Sequence, residues 1–151
     1  MPVRAIRGAT QLETDEREHL LERVAELVKE VLRTNDLDNS DLISIVFTAT
    51  SDVRSEFPAY AARLMGMTDV PLLCARELEI EGSMPRVIRM LAHVETDLSR
   101  EQITHVYLHG AAALRRDLTH VYAAPDEPTT TGSSGDGGQA ADLPSGRSGS
   151  P

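Results

Sequence analysis

The stretch "TDEREHLLERVAELVKEVLRTN", Thr14–Asn35, is the strongest helical segment in the chain and the feature that most limits its fold. Leu20, Val24, Leu27 and Val31 recur at helical spacing, with Leu21, Val28 and Leu32 beside them. Thr14 or Asp15 can cap it, acids crowd its first turn, and Asn35 can end it. The apolar sequence elsewhere reads mainly as strands. One long helix with a short companion covers one face of a sheet and leaves the other bare. Small α+β domains hide such a face by assembling into symmetric oligomers. Pockets then form at subunit junctions.

The strands follow from composition and alternation. "VRAIRGA" (Val3–Ala9) reads as a short strand ending at Gly8. "DLISIVFTAT" (Asp41–Thr50) is β-branched and apolar, as a buried strand is. "FPAYAARLMGM" has Pro58 at a first helical position and Gly66 as a stop, giving the second, shorter helix. "VPLLCARELEI" (Val70–Ile80) reads as a strand. "PRVIRMLAHVET" (Pro85–Thr96) fits either period, and Val87, Ile88 and Val94 favour a strand. Alternation there sets Ile88, Met90, Ala92 and Val94 on one face and Val87, Arg89, Leu91 and His93 on the other. "THVYLHGAAAL" (Thr104–Leu114) starts as a strand and changes course at Gly110. The order predicts an α+β domain with a mixed sheet of about five strands and both helices on one face. The folded domain is residues 1–123. Residues 124–151, rich in Gly, Ser, Pro and Thr, have too few apolar groups to offset the entropy of ordering and read as a disordered tail.

With 151 residues the chain holds one domain and that tail. A net charge of −9 argues against a nucleic-acid partner. No apolar run approaches the ~20 residues of a membrane helix, so no membrane partner is expected. "MPVRAIRGAT" has no apolar signal core, and a single cysteine suits a reducing compartment, so the expected location is the cytoplasm. Of the 15 basic residues all but Lys29 are arginine. Codon bias in a GC-rich genome explains most of that. Arginine is nonetheless the side chain that grips carboxylates with paired hydrogen bonds.

Familiar catalytic constellations are missing. His19, His93, His105, His109 and His120 make no close ligand motif with Cys74, so no metal is expected. The domain has no glycine-rich phosphate loop, and no serine sits in a nucleophile elbow. Cys74, in an apolar strand, reads first as a small hydrophobe. Arg7, Arg63, Arg115 and Arg116 each read first as solvated surface charges. Arg89 is harder to set aside: its neighbours are apolar, and a buried cation needs an anion, for which Glu77 is a candidate.

The order of these residues resembles the trimeric monofunctional chorismate mutases of the pseudo-α/β-barrel class. "IRGAT" (Ile6–Thr10), "FTATSDVRSEFPAYAAR" (Phe47–Arg63), "VPLLCARELEIEGSMPRVIRM" (Val70–Met90) and "HVYLHGAAALRRDL" (His105–Leu118) look like successive segments of that family. Four motifs in the right order, over residues 3–118, make the resemblance specific. It implies a homotrimer that rearranges chorismate to prephenate, a step towards phenylalanine and tyrosine. The reaction is pericyclic, so no proton need move, and the resemblance implies no cofactor.

Carried over by position, the resemblance gives Arg89 the role of donor to the ether oxygen. Arg7 would bind a carboxylate, Tyr107 would donate to a carboxylate, and Glu77 would accept from the ring hydroxyl with Cys74 close to it. Phe57, Ala59, Leu72 and Leu73 would shape an apolar wall, with Arg63 and Arg115 at the rim. Sites would lie between adjacent subunits. This chain departs from the family at Tyr60, where members usually carry lysine, and at Leu73, which replaces a polar residue. Strict alternation would set Cys74 and Glu77 on opposite faces, so both can line one pocket only if the strand bulges or ends between them. The alternatives are an imine deaminase of the similarly shaped trimeric family and a non-catalytic trimer that binds a carboxylate metabolite.

Overall fold

The computed structural model describes residues 1–115 and the strand 121–123. The proposed tail and His120 lie outside the described residues, as do the side chains of Arg115 and Arg116. The elements are β1 (Val3–Gln11), α1 (Arg17–Thr34), β2 (Leu42–Ala49), α2 (Pro58–Leu64), β3 (Leu72–Arg76), β4 (Val87–Glu95), β5 (His105–Leu108) and β6 (Val121–Ala123). Short 3-10 turns cover Asn39–Asp41, Arg100–Gln102 and His109–Arg115. The sheet runs β3-β2-β4-β1-β5-β6. It is mixed: β4 lies antiparallel between β1 and β2, while β1 with β5, β2 with β3, and β5 with β6 are parallel. The sequence points to about five strands. The sixth is the three-residue β6, too short to carry a periodic signal.

Helix α1 buries Leu20, Val24, Leu27, Val28, Val31 and Leu32, the stripe read from the sequence. Its ends differ from expectation at one side only. Glu16, not Thr14 or Asp15, is the N-cap, and no side chain caps the helix. Asp15 instead accepts from the backbone N–H groups of Arg54 and Ser55, tying α1 to the loop before α2. At the other end Asn35 is buried and donates to the Val31 and Thr104 carbonyls, while accepting from Thr104 N–H. One amide thus ends the helix and fixes the approach to β5.

Both helices pack on one face of the sheet, over Ile6, Ile45, Phe47, Ile88, Met90, Ala92 and Val94. Strand β1 runs past Gly8 to Gln11, beyond the expected stop. Gly8 sits in the strand interior because α1 comes close there. A Cβ at this position would lie 3.0 Å from Met90 Cγ, 3.1 Å from Leu27 Cδ1 and 3.2 Å from Val31 Cγ2. Strand β3 is shorter than Val70–Ile80 because its partner β2 ends at Ala49. Glu77 N–H makes the last bond, to the Ala49 carbonyl, and Leu78 and Ile80 are then exposed. Among the described residues no helix is long and apolar enough to cross a membrane.

The second sheet face carries neither α-helix; among the described residues the 3-10 turn His109–Arg115 packs on its β1–β5 end, with Ala111 and Leu114 against Ala9 and Tyr107. Register places Arg7 and Ala9 of β1, Val46 and Thr48 of β2, Leu73 and Ala75 of β3, and Arg89, Leu91 and His93 of β4 on it. Tyr107 of β5 pairs with Ala9 and shares the same face.

Candidate active site

Arg89 projects from the middle of β4 onto the open face, as the alternation requires. Its Nε lies 2.6 Å from Glu77 Oε1, an ion pair whose side chains are 42% and 16% exposed. The cation is therefore paired and partly wet, and an isolated pair of that kind contributes little to stability. Thr48 Oγ1 donates to the same Glu77 oxygen at 2.9 Å. Thr48 pairs in register with Arg89 across β2 and β4 and with Ala75 across β2 and β3. The carboxylate is thus aimed by two strands while its own backbone extends a third.

A hollow of ≈ 270 Å³ opens beside this pair. Arg7, Ala9, Thr48, Arg89, Leu91 and Tyr107 contribute to its walls. Arg7 is half-buried, and its side chain meets no carboxylate among the described residues. Its backbone N–H donates to His105 Nδ1 at 2.9 Å, which locks the β1–β5 junction. Tyr107 is 2% exposed, packed with Ala9, Ala111 and Leu114. Its hydroxyl has no hydrogen-bond partner among the described residues. Two guanidinium groups and a phenol therefore converge where an oxyanion would satisfy them. The hollow falls below the usual 300–1,000 Å³ of small-molecule sites, and one side is open.

The other residues of interest lie elsewhere. Cys74 pairs with Phe47 and packs against the helix-side core, so it sits on the face opposite Arg89. The pairing of β2 with β3 runs without a bulge from Leu72 to Arg76, which keeps Cys74 and Glu77 on opposite faces. Cys74 lines a cleft of ≈ 560 Å³ with Phe57, Pro58, Ala49, Ala75 and Arg76. No residue lines both this cleft and the hollow around Arg89. Phe57 is 68% exposed at the cleft. Ala59 is buried in the core, Leu72 packs partly against it, and Leu73 is 61% exposed on the open face. Arg63 is exposed near the end of α2. Arg115 closes the last 3-10 turn.

The cleft is held by carboxylates. Glu56 accepts from Phe57 N–H and from Arg17 Nε, both at 2.9 Å. The Phe57 bond first, then Arg17, holds the Glu56 carboxyl below its ordinary range. Burial pushes Asp15 up, but hydrogen bonds from Ser55 and Arg54 outweigh it and leave that carboxyl lowered as well. Arg17 also lies over the Tyr60 ring, 5.4 Å from its centre, so a cation stands beside the position at which Tyr60 replaces the expected lysine.

Sequence reasoning missed Thr48. Its hydroxyl lies in an apolar run that reads only as a buried strand, and the register that sets it beside Arg89 is a tertiary fact. Among the described residues no three His, Cys, Asp or Glu side chains gather as a metal site.

Comparison with known proteins narrows the chemistry. The family model for chorismate mutase type I matches residues 3–118. The chorismate mutase AroH of Thermus thermophilus is 46% identical over 117 residues, covering 77% of this chain and 96% of the relative. AroH of Bacillus subtilis (strain 168) is 37% identical over 120 residues, covering 79% and 94%. A chorismate mutase from Clostridium thermocellum has a similar structure, with a TM-score of 0.72 and 42% identity over 73% of this chain and 98% of that one.

Proposed function

The chain belongs to the type I chorismate mutases, and on that premise we propose how it converts chorismate to prephenate in aromatic amino acid biosynthesis. The Claisen rearrangement breaks the ether C–O bond while a C–C bond forms in the same molecule, with no proton or covalent intermediate to handle. What the protein supplies is a held, compact diaxial shape and fixed charge near the ether oxygen. Arg89 donates to that oxygen as it gains negative charge. Arg7 and Tyr107 bind a carboxylate. Glu77, aimed by Thr48, accepts from the ring hydroxyl.

The observation that supports this reading is that Arg7, Arg89 and Tyr107 line one hollow, with Glu77, itself outside the lining, held on Arg89 and Thr48. Such groups can grip a dicarboxylate, and the one carboxylate among them, Glu77, has its Oε1 engaged by Arg89 and Thr48.

The enzyme works as a homotrimer with its sites between copies. The bare sheet face supports this, as does the separation of the Arg89 hollow from the Phe57–Cys74 cleft within one chain. The cleft of one copy, with Phe57 and Cys74 in its lining, closes the open side of the next copy's hollow, and the exposed Arg63 of α2 stands at the rim. The resemblance gives Ala59, Leu72 and Leu73 an apolar wall, but Ala59 is buried in the core, Leu72 packs against it, Leu73 lies on the open face, and none of the three lines the cleft; Arg115 stands at the rim. Chorismate and prephenate are the small-molecule partners, no cofactor takes part, and the cytoplasm is the site of action.

The test is loss of chorismate's ultraviolet absorbance, with chelator present. Arg89→Ala lowers kcat by at least ~10²-fold while the trimer persists. Cys74→Ser keeps most of the activity, because no thiolate attack occurs. A small effect at Arg89, or a folded but inactive Cys74→Ser protein, contradicts these roles.

A further inference from the structure

Strand β4 carries Arg89, and the chain enters that strand through a strained residue. Arg86 has a φ of 51°, in the left-handed region that residues with a side chain avoid. It follows an exposed turn at Gly82 and stands one residue before β4. Such a conformation persists only where surrounding groups hold it.

The holding groups come from the ends of both neighbouring strands. Leu12, just past β1, donates its N–H to the Arg86 carbonyl at 2.8 Å and accepts from Arg86 Nε at 3.0 Å. Gln11 Nε2 donates to the Pro85 carbonyl at 3.1 Å. The β1 side thus takes the Arg86 carbonyl and guanidinium, and the N–H is left to Asp52. Both Asp52 oxygens accept from it, at 3.0 and 3.2 Å. Thr50 Oγ1 donates to the same carboxylate and accepts from Val87 N–H at 3.0 Å. Thr50 N–H in turn donates to the Val87 carbonyl at 3.1 Å.

Asp52 lines neither the Arg89 hollow nor the Phe57–Cys74 cleft. Its neighbours Ser51 and Val53 do line the cleft, and Arg89 lies three residues beyond Arg86. Glu77, the ion-pair partner of Arg89, donates its N–H to the carbonyl of Ala49, the residue before Thr50. One carboxylate therefore gathers the end of β2, the start of β4 and the cleft loop. Each of these bonds joins groups of the same chain, so the clamp does not depend on an open surface.

We propose that Asp52 is a positioning residue for Arg89. It pins Arg86 directly and Val87 through Thr50, and so fixes where along β4 the guanidinium meets the breaking ether bond. The proposal rests on the role given to Arg89 above. A group displaced by about 1 Å can lose about 10²-fold in rate, so looseness at the start of β4 is read in kcat.

The experiment is a double-mutant cycle on the full chain, with Asp52→Ala, Arg89→Ala and both, assayed on chorismate. Asp52→Ala should lower kcat by about tenfold and change KM by less than about twofold. In the Arg89→Ala enzyme the same change should cost less than about twofold, because the donor it positions is gone. Asp52→Asn keeps an oxygen for the Arg86 N–H and should retain more of kcat than Asp52→Ala. Hydrogen exchange at Arg86 and Val87, faster in Asp52→Ala, reads the clamp itself. Equal losses with and without Arg89 overturn the proposal, since Asp52 then acts on the fold at large. Wild-type kcat in Asp52→Ala overturns it too, and unchanged exchange at Arg86 and Val87 overturns the clamp. If Asp52→Ala does not fold, Asp52→Asn enters the same cycle, with a smaller loss expected and equal losses again overturning the proposal. An Arg89→Ala enzyme as active as wild type overturns the role of Arg89, and the positioning with it, while the exchange data stand apart from turnover.

Discussion

Thr48 and Arg89 meet the same oxygen of Glu77, and this shared contact fixes the carboxylate beside two residues that line the hollow. A hydrogen bond to a charged group is worth about 1.5–3 kcal/mol, so Thr48→Val should cut kcat/KM by roughly 10- to 100-fold. The fold should survive, since valine keeps the shape. Steady-state kinetics with circular dichroism on the same sample checks it, and unchanged kcat/KM would show that Arg89 alone positions Glu77. Arg89 itself was legible in the sequence as a cation among apolar neighbours that needed an anion. Thr48 was not, because a hydroxyl in a strand announces nothing until the register sets its neighbour. The relation of Cys74 to Glu77 was only half legible. Alternation separates them, and with no bulge between them the separation holds.

At the scale of elements, β1 and α1 approach each other through Gly8. Gly8→Ala places a methyl against Met90, Leu27 and Val31, all three within 3.2 Å. Overpacking of this kind costs about 1–3 kcal/mol, to be read from denaturant unfolding. A neutral change would mean that α1 shifts without loss. Because Arg7 and Ala9 flank this contact, the same substitution should raise KM.

The loop before α2 carries a pH dependence. Asp15 and Glu56 are both held below the ordinary carboxylate range. Their bonds to Arg54, Ser55, Phe57 and Arg17 are fully present above that range and are lost as pH falls through the lowered folded values. Below about pH 4 the loop should open ahead of the core, since free carboxyls titrate near that value. Hydrogen exchange at Arg54, Ser55 and Phe57 reads this directly, and Glu56→Gln should make the Phe57 amide exchange nearly independent of pH. Uniform exchange across the chain would refute local opening. Nothing in the sequence signals this device, because Asp15 reads as a helix cap and only the fold brings the Arg54 and Ser55 amides to its oxygens.

For the whole molecule, the sequence disclosed a sheet with helices on one face, and α1 and β4 stand where periodicity put them. It did not disclose β6, whose three residues follow no pattern, nor the early end of β3, which depends on where β2 stops. The division of the proposed site into a hollow and a cleft, on separate parts of one chain, is likewise a property of the folded surface. The homotrimer proposed above would make activity a property of the assembly, and mixed assemblies test that most directly. Arg89→Ala disables the hollow, and Phe57→Asp sets a negative charge in the cleft against a dianionic substrate. A cyclic trimer built from both kinds of chain contains one complete site, so each mixed trimer should recover about a third of wild-type activity. Co-expressed variants, separated by distinct tags and assayed on chorismate, give that number. Recovery near this level would place each site between two copies. Mixed trimers no more active than the variants alone would place the whole site within one chain and contradict the account.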